Sequence, residues 1–212
     1  MEVVAEKTLR EKMAILAASL PPESVTLSEV LALIGREGLL LFCVFLTLPF
    51  MVPVSIPGVS TVFGAVIVLI GISVVLNRSP WLPARLMKRS FSSAKLKHAL
   101  QTGEIWLKRM EKISHKRMLV LATGPAARLF NGLMLILGAV LLMFPFGLVP
   151  LSNTLPGLAI LFLAVGMLQE DGVCILLGYL TNLLTIFYFA FLILTGAAAM
   201  REAVRKIMEW MA

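Results

Sequence analysis

An adjacent pair of carboxylates, Glu170 and Asp171, is the part of this sequence best suited to chemistry. The pair lies in the stretch GMLQEDGV between two apolar segments, and it is the only charge between Arg128 and Arg201. Ionisable groups among membrane segments are costly and usually face a cavity or a charged partner. Such a pair suits proton titration, cation binding or a salt bridge, and the alternative is a solvated turn between helices. Three arginines are candidates for the salt bridge: Arg36, Arg78 and Arg128.

Two Pro-Gly steps, Pro57-Gly58 and Pro156-Gly157, are suited to binding an anion. Each is predicted to stand near the start of an apolar helix, where unpaired backbone N–H groups attract negative charge. The few polar residues of the apolar blocks lie in the same turns: Ser55, Ser60, Ser152, Asn153 and Thr154. We therefore include Asn153 among the candidate binding residues.

The two turns belong to long apolar blocks with a similar arrangement of prolines. One block reads LTLPFMVPVSIPGVSTVFG and the other LLMFPFGLVPLSNTLPGLAIL. Aligning positions 49 and 57 with positions 145 and 156 requires a three-residue insertion in the second block. We interpret the likeness as an internal duplication. Its hinge and turn residues are Pro49, Pro57, Gly58, Pro145, Pro156 and Gly157.

The apolar helices of these blocks are short for a bilayer. Residues 39–48 would form about 15 Å of helix and residues 157–169 about 20 Å, at 1.5 Å per residue, whereas the hydrocarbon core is about 30 Å thick. We therefore predict proline-broken or re-entrant helices that meet inside the membrane, as in the binding sites of transporters. The alternative is a pair of slightly short hairpins with external loops.

Composition indicates a membrane protein. Of the 212 residues, 59% are apolar and only 15% are charged, where a soluble domain is nearer 25% charged. The charge-free runs 39–77, 129–169 and 172–200 allow two, two and one helical passes. Solid apolar blocks differ from the alternating strands of a porin-like barrel. The predicted fold class is an all-α integral membrane protein with additional amphipathic interfacial helices.

Positive charge is concentrated in residues 78–128, which hold twelve basic and two acidic side chains. Basic loops are retained in the cytoplasm, so we place this segment there. From Ser93 onward, apolar residues at near-helical spacing and Trp106 predict a basic amphipathic helix. Such a helix lies at the lipid headgroups or packs against the protein's own spans. His98 and His115 have no Cys or carboxylate pair at ligand spacing, so we expect neither a metal nor a cofactor.

Two further helices are predicted in the amino-terminal segment. One ends at Pro21-Pro22 because proline removes a backbone donor, and Thr26 with Glu29 fits a capping box that starts the second. The chain is thus divided into parts of a single membrane domain: 1–38, 39–77, 78–128, 129–200 and the tail 201–212.

The ordered set of motifs resembles the ExoD family of bacterial membrane proteins, from about Leu27 to about Leu180. The matching elements are Arg36 and Gly38, Leu48-Pro49, Pro57 to Ser60 with Gly64, Pro80-Trp81-Leu82-Pro83, Glu111, Arg117, Thr123-Gly124, Arg128, Asn153 with Leu155-Pro156, and Glu170-Asp171-Gly172. The family pattern often has a glutamine several residues before Pro-Trp-Leu-Pro. Here Asn77 provides the only amide in residues 72–77.

The resemblance implies a part in exopolysaccharide synthesis at the bacterial inner membrane, without defining a molecular activity. The sequence contains no plausible nucleophile–base pair or phosphate-binding glycine loop, so we do not expect an enzyme. We expect binding or transport of an anionic lipid-linked or small anionic species. Arg36, Arg78 and Arg128 would hold the anionic group, and Glu170 or Asp171 would couple protonation to movement.

Two alternatives assign the protein a different function. A scaffold for a polysaccharide synthase would dock through the basic helix 93–117, and a cation/proton exchanger would use the acidic pair. Expected partners are anionic membrane lipids, synthase components or a second copy of the chain, and not nucleic acid.

Topology is left open by the sequence. If both apolar blocks are hairpins, residues 1–38, 78–128 and the acidic pair share the cytoplasmic side, and the tail lies outside. If one block crosses an odd number of times, or if the last apolar run folds back near Gly178, the basic tail returns to the side that the positive-inside tendency favours.

Overall fold

The computed structural model describes residues 24–51, 58–77, 90–92, 117–144, 146 and 149–211. Within these ranges the chain is helical apart from two short strands, as predicted for the fold class. In chain order the elements are β1 (Ser24–Thr26), α1 (Leu27–Thr47), α2 (Val59–Leu76), β2 (Ser90–Ser92), α3 (Leu119–Ala122), α4 (Pro125–Leu142), α5 (Thr154–Gln169) and α6 (Gly172–Met211). Among the described residues, three helical segments are long and apolar enough to cross a membrane: Val59–Leu76, Pro125–Leu142 and Gly172–Gly196.

Helix α1 begins directly after Thr26, where the capping pattern predicts a start. Its regular geometry is broken at Gly35, whose φ of 61° and ψ of −154° are accessible to glycine because it has no side chain. Beyond this break the apolar part continues as Glu37–Met51, with a 3₁₀ turn over its last four residues. One face of this part is buried in the core through Leu40, Cys43 and Val44.

Strands β1 and β2 form an antiparallel pair in which Val25 lies opposite Phe91. No pattern in the sequence predicts this pairing. Three-residue strands are too short for an alternating pattern to stand out, so the pair depends on two segments that are distant in sequence.

Helices α2 and α4 pack antiparallel through glycines. A β-carbon on Gly71 would lie 2.5 Å from Cγ1 of Ile136, and one on Gly132 would lie 2.6 Å from Cγ2 of Val75. Small residues at such positions let two helix backbones approach closely, which is a common way for helices to associate in membranes. The glycines thus determine how near the first apolar block lies to the second.

Helices α1 and α5 form the corresponding contact between the blocks. The 3₁₀ turn that follows α1 meets the start of α5, since a β-carbon on Gly157 would lie 3.1 Å from that of Phe50. Together with the α2–α4 contact, this means that the first helix of each block packs against the second helix of the other. The bundle therefore has an Asn77 end, where α2 and α5 finish and α4 and α6 begin, and a Pro49 end, where α4 finishes and α2 and α5 begin.

Helix α6 is a single helix of 40 residues. Gly178 lies in its interior, and a β-carbon there would approach Cγ of Leu163 to 2.6 Å. The proposed fold-back near Gly178 is therefore wrong. This glycine brings α6 close to α5 instead of bending α6. At the Pro49 end, the Tyr188 hydroxyl donates a hydrogen bond of 2.6 Å to the carbonyl of Pro150.

The two shorter apolar helices, Glu37–Met51 and Thr154–Gln169, are both longer than predicted. Each reaches about 25 Å or less at the usual helical rise, which is still below the bilayer thickness of about 30 Å. The second begins before Pro156, because proline is tolerated in the first turn of a helix. Re-entrance of these helices and the internal duplication stay predictions.

Candidate functional site

A cleft of about 200 Å³ lies at the Asn77 end of the bundle. One part of its wall is apolar and the other is polar, and the lining comes from both apolar blocks and from the segment between them. Its volume is below the 300 Å³ or more that is usual for a drug-sized ligand, so it suits a headgroup-sized moiety. The lining residues are Leu40, Val74, Ala122, Thr123, Gly124, Arg128, Asn131, Met167 and Glu170.

Part of the cleft wall is formed by Ala122, Thr123 and Gly124, the last residues of a segment, 117–124, that we call the strap. The strap crosses the start of α6, where the Gly172 N–H donates a 2.7 Å hydrogen bond to the carbonyl of Arg117. A β-carbon on Gly172 would overlap the carbonyl oxygen of Met118. The close approach of the strap to α6 therefore requires a residue without a side chain at position 172.

The carboxylate of Asp171 bonds the first residue of the strap to the start of α6. It is fully buried, and its Oδ2 lies 3.4 Å from Nη2 of Arg117. Its Oδ1 accepts a 3.0 Å hydrogen bond from the N–H of Val173, as expected of a residue that caps the start of a helix. Oδ2 also lies 3.5 Å from Sγ of Cys174. Asp171 thus connects the strap to α6 and does not line the cleft.

Asn131 fastens the other end of the strap. Its side chain is fully buried, and its Nδ2 donates a 2.8 Å hydrogen bond to the carbonyl of Leu121. Its Oδ1 accepts a short hydrogen bond from the hydroxyl of Tyr179 on α6. The Tyr179 ring packs edge-on against Phe130. Because Asn131 bonds to both Leu121 and Tyr179, the network holds α4, α6 and the strap in one arrangement.

Arg128 and Glu170 provide the charges of the cleft. Arg128 lies in the first turns of α4, and Glu170 lies at the end of α5 in a left-handed conformation with φ of 53°. A guanidinium presents several N–H donors in a planar fork that matches carboxylate and phosphate oxygens. With Leu40, Val74 and Met167 on the apolar wall, the cleft suits a ligand with an anionic group and an adjoining apolar part.

The structure brings together some of the predicted binding residues and separates others. Arg128 and Glu170 share the cleft, while Asn153 is buried before α5 at the Pro49 end. Arg36 lies in α1, with its side chain outside the described part, and Arg78 lies outside the described residues. Within the described residues Asp171 forms a salt bridge with Arg117, a partner that the sequence analysis did not name.

The predicted hinge residues occupy different environments. Pro49 is exposed in the 3₁₀ turn after α1, and Gly58 precedes α2 with a left-handed φ of 83°. Pro156 and Gly157 are buried within the first turn of α5 instead of preceding it. Pro57 and Pro145 lie outside the described residues, as does most of the basic segment, including the predicted helix from Ser93 and Trp106.

Sequence reasoning missed Asn131, Tyr179 and the role of Arg117. The signal for Asn131 was present, because it is an amide inside a charge-free run, and buried polar groups in such runs need partners. Tyr179 and Asn182 are three residues apart on α6 and thus point to one helix face. No pattern in the sequence links Arg117 to Asp171. Among the described residues, no group of three potential metal ligands lies together.

Two comparisons with known proteins name the same family. The model of the family described as exopolysaccharide synthesis, ExoD, matches residues 9–191. Protein ExoD of Rhizobium meliloti (strain 1021) is 46% identical over 188 residues, which is 89% of this chain and 78% of that protein. An uncharacterized protein of Synechocystis sp. is 31% identical over 150 residues, 70% of this chain and 69% of that protein. No solved structure gives a significant match.

Proposed function

Because this chain belongs to the ExoD family, which is named for exopolysaccharide synthesis, we propose that its cleft binds an anionic species used in that process. The species is lipid-linked or a small anion. The observation that carries the proposal is the meeting of Arg128 and Glu170 in one cleft, although 41 residues separate them in sequence. We propose a binding or transport protein, and we assign no catalytic step to it.

In this proposal Arg128 holds the anionic group and Glu170 couples protonation to its movement. Arg128 is suited to the role because its guanidinium can contact two anionic oxygens at once. Glu170 lines the cleft, whereas Asp171 does not and instead accepts bonds from Arg117 and Val173. The position of Glu170 in the cleft supports assigning the coupling to it.

We further propose that the protein crosses the bacterial inner membrane with the Asn77 end facing the cytoplasm. The basic segment 78–128 belongs on that side by the positive-inside tendency, and it joins two helices at the Asn77 end. The helix directions support the hairpin arrangement of both blocks. In this arrangement the two halves are related by an axis along the membrane normal, and the end of α6 lies on the far side.

The proposal is tested by complementing a strain that lacks this gene with single variants of the two charged residues in the cleft. Arg128→Gln and Glu170→Gln are each expected to lower exopolysaccharide output at least tenfold at matched membrane abundance. Glu37→Gln is the control, because Glu37 lies at the same end of the bundle but does not line the cleft. Normal output from both cleft variants would refute the proposed binding role.

Two further readouts distinguish the alternative functions. A scaffold should tolerate both cleft variants but lose output when Trp106 and its neighbouring leucines are replaced. A cation/proton exchanger should show cation-driven proton flux in liposomes, and Glu170→Gln should abolish that flux. An anion carrier should lose output in the cleft variants, tolerate replacement of Trp106 and its neighbouring leucines, and show no cation-driven proton flux.

A further inference from the structure

We infer that part of the strap inserts into the membrane interface, so that the cleft receives its anionic group from a lipid in the bilayer and not from the aqueous phase. The inserted part is Met118, Leu119 and Val120, which we call the lip. This inference rests on the proposed function for its ligand, and it adds the source from which the ligand comes.

The lip is the first observation behind this inference. Its three consecutive apolar side chains are 54%, 47% and 87% exposed, respectively. Leu121 alone separates them from Ala122, Thr123 and Gly124, which line the cleft. Exposed apolar side chains that adjoin a binding cleft are typical of a surface that contacts a membrane or a ligand. The lip thus adjoins the rim of the cleft.

The exposed apolar surface of α4 continues onto the lip, and this indicates that lipid covers the lip. Leu129, Phe130 and Leu133 are about half exposed on a helix that is long and apolar enough to cross a membrane. The hydrogen bond from Asn131 to the carbonyl of Leu121 holds the lip beside the first turns of this helix. An apolar surface therefore extends from the membrane-facing side of α4 onto the strap.

Charge beside the lip favours anionic lipid headgroups in particular. Arg117, which directly precedes the lip, has a side chain that is 50% exposed although it contacts Asp171. Arg128 lies in the cleft that the lip adjoins. Basic side chains at the membrane surface attract anionic lipids. A headgroup at the level of the lip would therefore lie between the lipid phase and the Arg128 guanidinium.

The position of the strap is constrained, so the lip does not depend on a flexible loop. The strap is bonded to α6 through Arg117 and Gly172 and to α4 through Leu121 and Asn131. Between these two attachments only the residues of the lip project outward. Their exposure is therefore a property of the fold, and the depth of the lip in the membrane can be measured.

Insertion is tested by fluorescence quenching in nanodiscs of phosphatidylcholine and phosphatidylglycerol. The full chain carries Val120→Cys with an environment-sensitive label, in a background of Cys43→Ala and Cys174→Ser. We expect lipids with a nitroxide at acyl carbon 5 to quench the label at least twice as strongly as aqueous iodide does. Phe187→Cys, 64% exposed on α6, is the membrane-exposed control, and Asn77→Cys is the aqueous control. Stronger quenching by iodide at position 120 would overturn the inference.

The source of the ligand is tested with two probes, inorganic phosphate in solution and fluorescent phosphatidic acid in nanodiscs. Val120→Asp should weaken binding of phosphatidic acid about tenfold and leave phosphate binding unchanged, whereas Arg128→Gln should weaken both. Equal loss of both probes in Val120→Asp would overturn the lipid source, as would unchanged phosphatidic acid binding. Normal binding of both probes in Arg128→Gln would refute the proposed function, while insertion of the lip would still be decided by quenching.

Discussion

Replacing Gly172 by alanine tests whether the strap is held by its close approach to α6. A β-carbon at this position would overlap the carbonyl oxygen of Met118 and lie 3.0 Å from that of Arg117. Both neighbours are backbone atoms, so they cannot move aside by a change of rotamer. We therefore expect the whole strap to be displaced from the start of α6.

The expected cost follows from two contributions. Overpacking of a well-packed site costs about 1–3 kcal/mol, and the hydrogen bond from the Gly172 N–H to Arg117, now 2.7 Å long, contributes about 0.5–1.5 kcal/mol. The better helix propensity of alanine returns at most about 1 kcal/mol. Together these contributions lower the free energy of unfolding by about 0.5–4.5 kcal/mol.

The measurement is reversible unfolding in mixed micelles with increasing denaturing detergent, followed by circular dichroism. Gly196→Ala is a matched control, because Gly196 lies in the same helix and a β-carbon there would meet nothing within 4 Å. This control should be neutral or slightly stabilising. If Gly172→Ala is as stable as Gly196→Ala, the strap is not held by this contact and the reasoning is wrong.

Three other predictions use the same unfolding measurement. Asp171→Ala should lower the free energy of unfolding by about 1–2 kcal/mol through loss of the helix cap. Asp171→Asn should cost less, because it keeps an acceptor oxygen. Equal effects of the two variants would argue against capping. Gly132→Ala should lower the free energy of unfolding by about 1–3 kcal/mol because its β-carbon would press against Val75. An unchanged stability would mean that α2 and α4 can move apart at no cost in stability. Asn131→Ala should cost about 1–3 kcal/mol by leaving buried partners unbonded. Asn182→Ala should cost less, since the described residues provide no hydrogen bond to its carbonyl oxygen, and the reverse order would contradict the fastening role given to Asn131.

The helical part of the fold was predictable because it depends on local composition. Charge-free runs of suitable length indicated helices α2, α4 and α6, and the capping pattern at Thr26 indicated the start of α1. The β1–β2 pairing was not predictable, because its register depends on residues more than sixty positions apart. The same holds for Gly71 and Gly132, whose role appears only when two helices lie against each other.

The candidate site was predictable only in part, for a physical reason. Charged groups in apolar surroundings stand out in a sequence, so Arg128, Glu170 and Asp171 were recognised as candidates. The residues that contact these groups depend on how distant parts of the chain pack together. Arg117 is one of twelve basic residues in its segment, and only the path of the strap selects it as the partner of Asp171.

The crossed packing of the two apolar blocks has a consequence for the order of folding during synthesis. Helix α2 packs against Gly132 and Ile136 of α4, and the 3₁₀ turn after α1 packs against Gly157 of α5. These partners are made about 60 to 110 residues later, which takes on the order of 3 to 20 s at about 5–20 residues per second. During that interval the first block has to persist in the membrane without its final neighbours, with lipid or insertion factors covering Gly64 and Gly71.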